Sequence, residues 1–133
     1  MLTLTDGTRL DVSVHGEGPT TLVLLHGWTQ DRSNWRRQIE ALRDVDGLRL
    51  IAYDHRGHGG SDPAPEGTAT IAQCADDLVE VLAEVAPDGP VVLAGHSMGS
   101  MAISAVITAW LLERCSRKPN VGSGPTIWRM IIP

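Results

Sequence analysis

The spacing of apolar residues changes period several times along this chain. Between Thr8 and His15, Leu10, Val12 and Val14 alternate with polar neighbours, which predicts a strand with one wet face. Leu2 to Leu4 is a short candidate partner, with Asp6-Gly7 as the hairpin turn. After a break at Gly16 to Pro19, Leu22-Val23-Leu24-Leu25 is apolar without alternation, as in a strand covered on both faces at the centre of a parallel sheet. Asp31 or Ser33 caps a predicted helix on which Trp35, Ile39, Leu42 and Val45 recur at helical spacing. Leu48 to Tyr53 is a further apolar strand. A Gly- and Pro-rich loop from Asp54 to Gly67 leads to Thr70 and Gln73, which stand at capping-box spacing. The helix they open has an apolar stripe of Ile71, Cys74 or Ala75, Leu78, Leu82 and Val85, and Asp76, Asp77, Glu80 and Glu84 are expected on its wet face. Pro87 to Pro90 stop it. Val91-Val92-Leu93-Ala94 is another doubly covered strand, followed by Gly95-His96-Ser97-Met98-Gly99 and an almost wholly apolar helix to about Glu113.

Strands and helices in alternation, with short loops, predict an α/β protein with a mostly parallel sheet and flanking helices. Its 133 residues suffice for one domain and not for two. The net charge of −5 makes a phosphate-backbone binder a poor expectation, so nucleic acid is excluded as a partner. Cys74 and Cys115 match no metal spacing and are too few for a disulfide scaffold. With no basic-then-apolar leader at the N-terminus, they point to a cytoplasmic protein. The longest apolar stretch, Met98 to Leu112, is too short to span a bilayer. Charge is uneven: residues 98–133 carry a net +3, together with Lys118, the only lysine, while residues 1–97 carry −8.

In parallel α/β sheets chemistry collects beyond the carboxyl ends of the strands. That places three loops together. Gly95-His96-Ser97-Met98-Gly99 is a GxSxG between a buried strand and a helix; the turn is so sharp that side chains two residues either side of Ser97 have no room, and it lifts the Ser97 hydroxyl into the open. Met98 N–H, free at the helix start, can donate to a developing oxyanion. His96, adjacent to Ser97 on a tight turn, is expected to be a packing neighbour. In His26-Gly27-Trp28, Gly27 lets the backbone approach a substrate carbonyl, Trp28 N–H supplies a second donor, and His26 is structural. The loop Asp54 to Asp62 holds His55, Arg56 and His58, yet its spacing fits no metal motif; it reads as a packing loop braced by a salt bridge between Asp54 and Arg56.

HGW, YDHRGHGGSD and GHSMG, in this order and at these separations, resemble the N-terminal half of an α/β-hydrolase of the esterase, lipase and peroxidase-like group, over about Val12 to Leu112. The resemblance implies an eight-stranded sheet, Ser97 as the catalytic nucleophile, Trp28 and Met98 N–H groups as oxyanion hole, and Gly95, Gly99, His26 and Gly27 as elbow and loop support. It also implies acyl transfer on a small-molecule ester or related acyl substrate, with no cofactor and no metal. Haloalkane dehalogenases and epoxide hydrolases resemble this fold with aspartate in the nucleophile position, so Ser97 argues for the esterase branch.

The family's chain order is Ser, then Asp or Glu, then His. After Ser97 this sequence has one acid, Glu113, and no histidine. Ser100 stands where glycine is usual. Residues 1–113 thus read as the N-terminal part of a hydrolase domain truncated after the elbow helix, and residues 114–133 as a divergent, poorly ordered tail, explained by a truncation with a frameshifted end. The expectation is a serine hydrolase with impaired activity, or else a non-catalytic fragment, a binding remnant or one half of a split enzyme. Loss of the later strands would expose the edge of the Val91 to Ala94 strand and allow self-association there.

Overall fold

The computed structural model describes residues 1–86 and 88–116. A short antiparallel hairpin, β1 (Leu2–Thr3) and β2 (Arg9–Leu10), precedes β3 (Val12–His15), β4 (Thr20–Leu25), a 3-10 turn (Arg32–Trp35), α1 (Arg36–Leu42), β5 (Leu48–Tyr53), α2 (Ile71–Val85), β6 (Val91–Gly95) and α3 (Met98–Ser116). The main sheet has the order β3-β5-β4-β6, with β3 antiparallel and the other three strands parallel. This is the mostly parallel α/β sheet expected from the alternation of elements. The part of the predicted tail from residue 117 onward lies outside the described residues.

Alternate residues of β4 face opposite layers. Val23 and Leu25 join Ile51 and Tyr53 of β5 in a core packed against Leu78, Val81 and Leu82 of α2 and Met98, Ala102 and Ile103 of α3. Leu24 joins Leu50 and Ala52 against Ile39 of α1. Coverage on both sides is why the apolar runs lack alternation, and each fully buried Leu or Ile contributes about 1.5–3 kcal/mol of burial free energy. Val45 lies beyond α1 and is exposed, so the apolar stripe of that helix ends at Leu42. The caps follow the sequence: Asp31 accepts from Ser33 N–H ahead of the 3-10 turn, and Thr70 accepts from Gln73 N–H ahead of α2.

Three expectations need correction. The segment Thr8 to His15 is not one strand: β2 and β3 belong to different sheets and part at Asp11, whose backbone carbonyl accepts from Asp54 N–H and whose N–H donates to Ser61 Oγ. Asp77 is not on the wet face of α2; it is fully buried. Nor do Asp54 and Arg56 pair with one another. Arg56 donates from Nε and Nη2 to the two oxygens of Asp77, each at 2.6 Å, and reaches Asp6 in the β1–β2 turn at 2.9 Å. Asp54 takes Arg32 instead, accepting from its backbone N–H at 2.6 Å and its guanidinium at 2.5 Å. A buried arginine satisfies a bidentate geometry that a carboxylate two residues away on the same loop cannot offer, whereas the first turns of α2 present one from the right direction.

Removing one member of this buried pair leaves an uncompensated charge. Asp77→Leu should therefore cost about 3–5 kcal/mol in urea unfolding, and the double variant Arg56→Met/Asp77→Leu should recover much of that loss. A double variant no more stable than Asp77→Leu would contradict the pairing.

Candidate active site

β4, β5 and β6 run parallel, so the loops after Leu25, Tyr53 and Gly95 leave the sheet at the same end. Leu25 and Gly95 are register partners, and His96 N–H donates to Leu25 O at 3.0 Å. The elbow therefore starts directly beside the exit of β4. A Cβ on Gly99 would stand 2.5 Å from Leu25 O and 2.7 Å from Leu25 Cβ, and one on Gly95 would stand 2.6 Å from Gly99 C and Ser100 N. Between the two glycines Ser97 takes φ 50°, a left-handed conformation that a side-chain-bearing residue adopts only when its surroundings impose it. Both Ser97 and His96 are exposed, and among the described residues the Ser97 hydroxyl has no hydrogen-bond partner. Ser100 has a role of its own, donating from Oγ to Gly95 O at 2.6 Å and so satisfying a carbonyl of the elbow.

The loop after β4 packs onto this elbow. A Cβ on Gly27 would meet His96 Nδ1 at 2.8 Å and Gln30 Oε1 at 2.9 Å. Gln30 stitches the two loops together: its Oε1 accepts from Gly27 N–H at 3.0 Å and lies 3.1 Å from His96 Nδ1. An amide oxygen only accepts, so His96 carries its proton on Nδ1 in this contact, and its ring is a brace between the loops. Thr29 follows with φ 59°, unusual for a β-branched residue. Met98 is buried at the first position of α3 while Trp28 is 58% exposed, and neither backbone N–H has an acceptor among the described residues. Trp28, Thr29 and Met98 share one cavity of about 480 Å³ with Gly57, His58, Ile71 and Cys74. Strained backbone, an unbonded hydroxyl and two unbonded amide donors thus converge at one end of the sheet.

His26 is fully buried beneath this site. Its Nε2 accepts from His55 N–H at 3.0 Å, so its proton is on Nδ1, which donates to Gly27 O at 2.8 Å. The ring thereby pins the loop after β4 to the loop after β5, and burial lowers its pKa from the ordinary imidazole range. His55 is also buried, with both ring nitrogens lacking partners; burial first, then the neighbouring His26 and His58, depress its pKa to about 3. Burial pushes the Cys74 thiol the other way, to about 11, which leaves it a protonated, inert side chain. The rest of the loop is tied to the fold by the Arg9–Asp62 bidentate pair and by Ser61 Oγ, which accepts from Asp11 N–H at 2.9 Å. Gln30 and Thr29 are participants that sequence reasoning missed. Nothing in their local pattern marks them, because the partner of Gln30 across the site, His96, belongs to another loop and the left-handed φ of Thr29 is set by the fold.

A model of the alpha/beta hydrolase family matches residues 22–129. The chain is similar to the probable oxidoreductase EphD of Mycobacterium tuberculosis, 36% identical over 101 residues that make up 74% of this chain and 17% of that protein. It is similar to epoxide hydrolase 3 of Siraitia grosvenorii, 38% identical over 117 residues, 87% of this chain and 34% of that one. Among solved structures, a thermophilic esterase of Thermogutta terrifontis shares 36% identity with a TM-score of 0.69, over 81% of this chain and 39% of the esterase. The chain therefore spans well under half the length of these proteins. It belongs to the alpha/beta hydrolase family.

The close approach of Gly99 to β4 has a direct test. Gly99→Ala must push the elbow off Leu25 and should lower stability by about 1–3 kcal/mol, as overpacked sites do. An unchanged urea midpoint would contradict the contact.

Proposed function

We propose that this chain carries the nucleophile and oxyanion half of a serine acyl hydrolase, with small-molecule esters or related acyl compounds as substrates. The observation that carries the reading is Ser97 at φ 50° with a free hydroxyl, next to the unbonded N–H groups of Met98 and Trp28. In the proposed reaction Ser97 Oγ attacks the acyl carbon and loses its proton to a base, and the carbonyl oxygen becomes an oxyanion held by the two amides. Collapse expels the alcohol and leaves an acyl-enzyme, which water hydrolyses.

Because some relatives are named as epoxide hydrolases, the chemistry open to a serine at position 97 bears on the reading. A carboxylate that opens an epoxide forms an ester, which water can cleave. A serine that did so would form an ether, which water does not cleave, and turnover would stop. On an acyl substrate the same serine forms an ester, so Ser97 favours acyl transfer. Cys74, a free buried thiol, supports the cytoplasmic setting that belongs to this reading.

Among the described residues no histidine is hydrogen-bonded to Ser97 Oγ, so the base is not assigned within them. No histidine follows Ser97 in the sequence. His55, with a pKa of about 3 and both nitrogens buried, is too weakly basic and too enclosed to take its place. His96 is tied to Gln30. The nucleophile and the oxyanion donors alone leave about 10³- to 10⁴-fold acceleration over water, as in enzymes stripped of a triad member.

The test is intact-mass analysis of the purified chain after exposure to a fluorophosphonate, alongside hydrolysis of a nitrophenyl ester and circular dichroism of both Ser97 and Ser97→Ala proteins. Slow, single-site labelling and a weak ester rate, both lost in Ser97→Ala, are expected. Folded protein that resists labelling would overturn the catalytic reading in favour of a non-catalytic fragment or one half of a split enzyme. A rate indifferent to Ser97→Ala would overturn the assignment of the nucleophile.

A further inference from the structure

The proposed acyl transfer makes no use of the three histidines beneath the oxyanion loop. Their ring centroids are 4.7 Å apart for His26 and His55, 5.3 Å for His26 and His58, and 6.5 Å for His55 and His58. Trp28 lies edge-on to His58 at 5.4 Å, so the side chain of an oxyanion residue rests on the cluster. Among the described residues no carboxylate is hydrogen-bonded to any of the three rings. The His26–His55 hydrogen bond is a main tie between the loop after β4 and the loop after β5.

We propose that this cluster is an acid-operated latch on the oxyanion loop: the uncharged rings of His26 and His55, with His58 packed against them, hold residues 26–29 against the loop 54–62, and protonation of His26 or His55 parts the two loops while the sheet stays folded. The contact is built to fail on protonation. A proton on His26 Nε2 removes the lone pair that accepts from His55 N–H. A second proton on the His55 ring places a charge among aromatic rings, with no partner at either nitrogen to receive it. A second imidazolium within about 5 Å of the first would repel it.

The surrounding charges do little to offset this. Asp54, behind His55 on the same loop, is occupied by Arg32 and Gly60 N–H. Asp31, before the 3-10 turn, is occupied by Ser33 N–H. Arg56 on the loop adds a positive charge, but Asp77 of α2 and Asp6 of the hairpin take it up. Tyr53 at the end of β5 faces His55 at 5.1 Å, and burial raises its pKa well above the ordinary value, so it stays neutral; Cys74 of α2 also stays neutral.

The sign follows from the depressed values of His26 and His55. In an opened loop an imidazole titrates near its ordinary pKa of about 6.5. The latch is therefore fully effective above that pH and loses hold progressively as pH falls toward 3, by up to about tenfold in the open-to-closed ratio per pH unit for each proton taken up. Opening can remain local because β4 is held on both sides by β5 and β6, whereas residues 26–28 meet the loop after β5 through the His26–His55 hydrogen bond and the ring contacts of the cluster. The opening is read without substrate, so it stands or falls separately from the acyl-hydrolase reading; only its consequence, loss of the Trp28 donor, rests on that reading.

Amide hydrogen exchange on the full chain between pH 7.5 and 4.5, corrected for the intrinsic pH dependence of exchange, tests the latch. Protection at residues 26–30 and 55–61 should fall at least tenfold relative to Val23 to Leu25 as the pH drops below about 6. In His55→Leu, which keeps the backbone donor to His26 and removes a titrating ring, the opening should move at least one pH unit lower. Loop and sheet losing protection together, loop protection that persists to pH 4.5, or an unshifted transition in His55→Leu would each overturn the proposal. If His55→Leu fails to fold, ring-proton NMR of the unmodified chain decides. Titration of His26 or His55 in step with the opening supports the latch, and opening while all three rings remain neutral refutes it.

Discussion

The site depends on one steric contact, the approach of Gly99 to the carboxyl end of β4. β6 pairs with β4 so that Gly95 lies beside Leu25, and α3 begins only three residues later. A helix that starts so close to the neighbouring strand has room for hydrogen at position 99 and for nothing larger. With both flanking glycines pressed against backbone, Ser97 has nowhere to go but the left-handed region, and its hydroxyl faces outward. The free Met98 N–H follows from the same geometry, because the first amides of any helix lack intrahelical acceptors. The proposed nucleophile and its neighbouring amide donor are thus consequences of backbone packing, and neither needs another group in order to form.

Polar ties hold the neighbouring loops to this elbow. Gln30 and His96 join the loop after β4 to the elbow, while His26 joins it to the loop after β5. That third loop is held in turn by charges satisfied at distance: Arg56 by Asp77 and Asp6, Asp54 by Arg32, and Asp62 by Arg9. Each pair links a segment of the hairpin, the 3-10 turn or α2 to one nine-residue loop, so the electrostatic network and the floor of the candidate site are one structure. The rings of His26, His55 and His58 sit where these ties meet.

What the sequence disclosed follows from the range of the forces involved. Strands buried on both faces leave unbroken apolar runs, so Leu22 to Leu25, Leu48 to Tyr53 and Val91 to Ala94 were legible to within two residues. The elbow was legible because its crowding falls on residues two positions either side of the serine and is written as glycine. Long-range pairing leaves no such trace. Asp77 sits among Asp76, Glu80 and Glu84 and looks like one more solvated carboxylate; only the tertiary fold brings Arg56 to it. The break of the Thr8 to His15 segment at Asp11 was hidden because the pattern of alternation continues across it, while the backbone of Asp11 turns to serve Asp54 and Ser61. The histidine cluster is an intermediate case. Leu25 and Tyr53 are register partners, so residues that follow them by one or two positions must meet.

The backbone of Ser97 is the most direct measure of this account. Solution NMR of the chain without substrate, partner or added base can report its φ angle together with the hydrogen-bonding state of the Trp28 and Met98 amides. The account predicts φ near +50° and two amides without acceptors. An extended or right-handed Ser97, or either amide engaged by a backbone carbonyl, would contradict it.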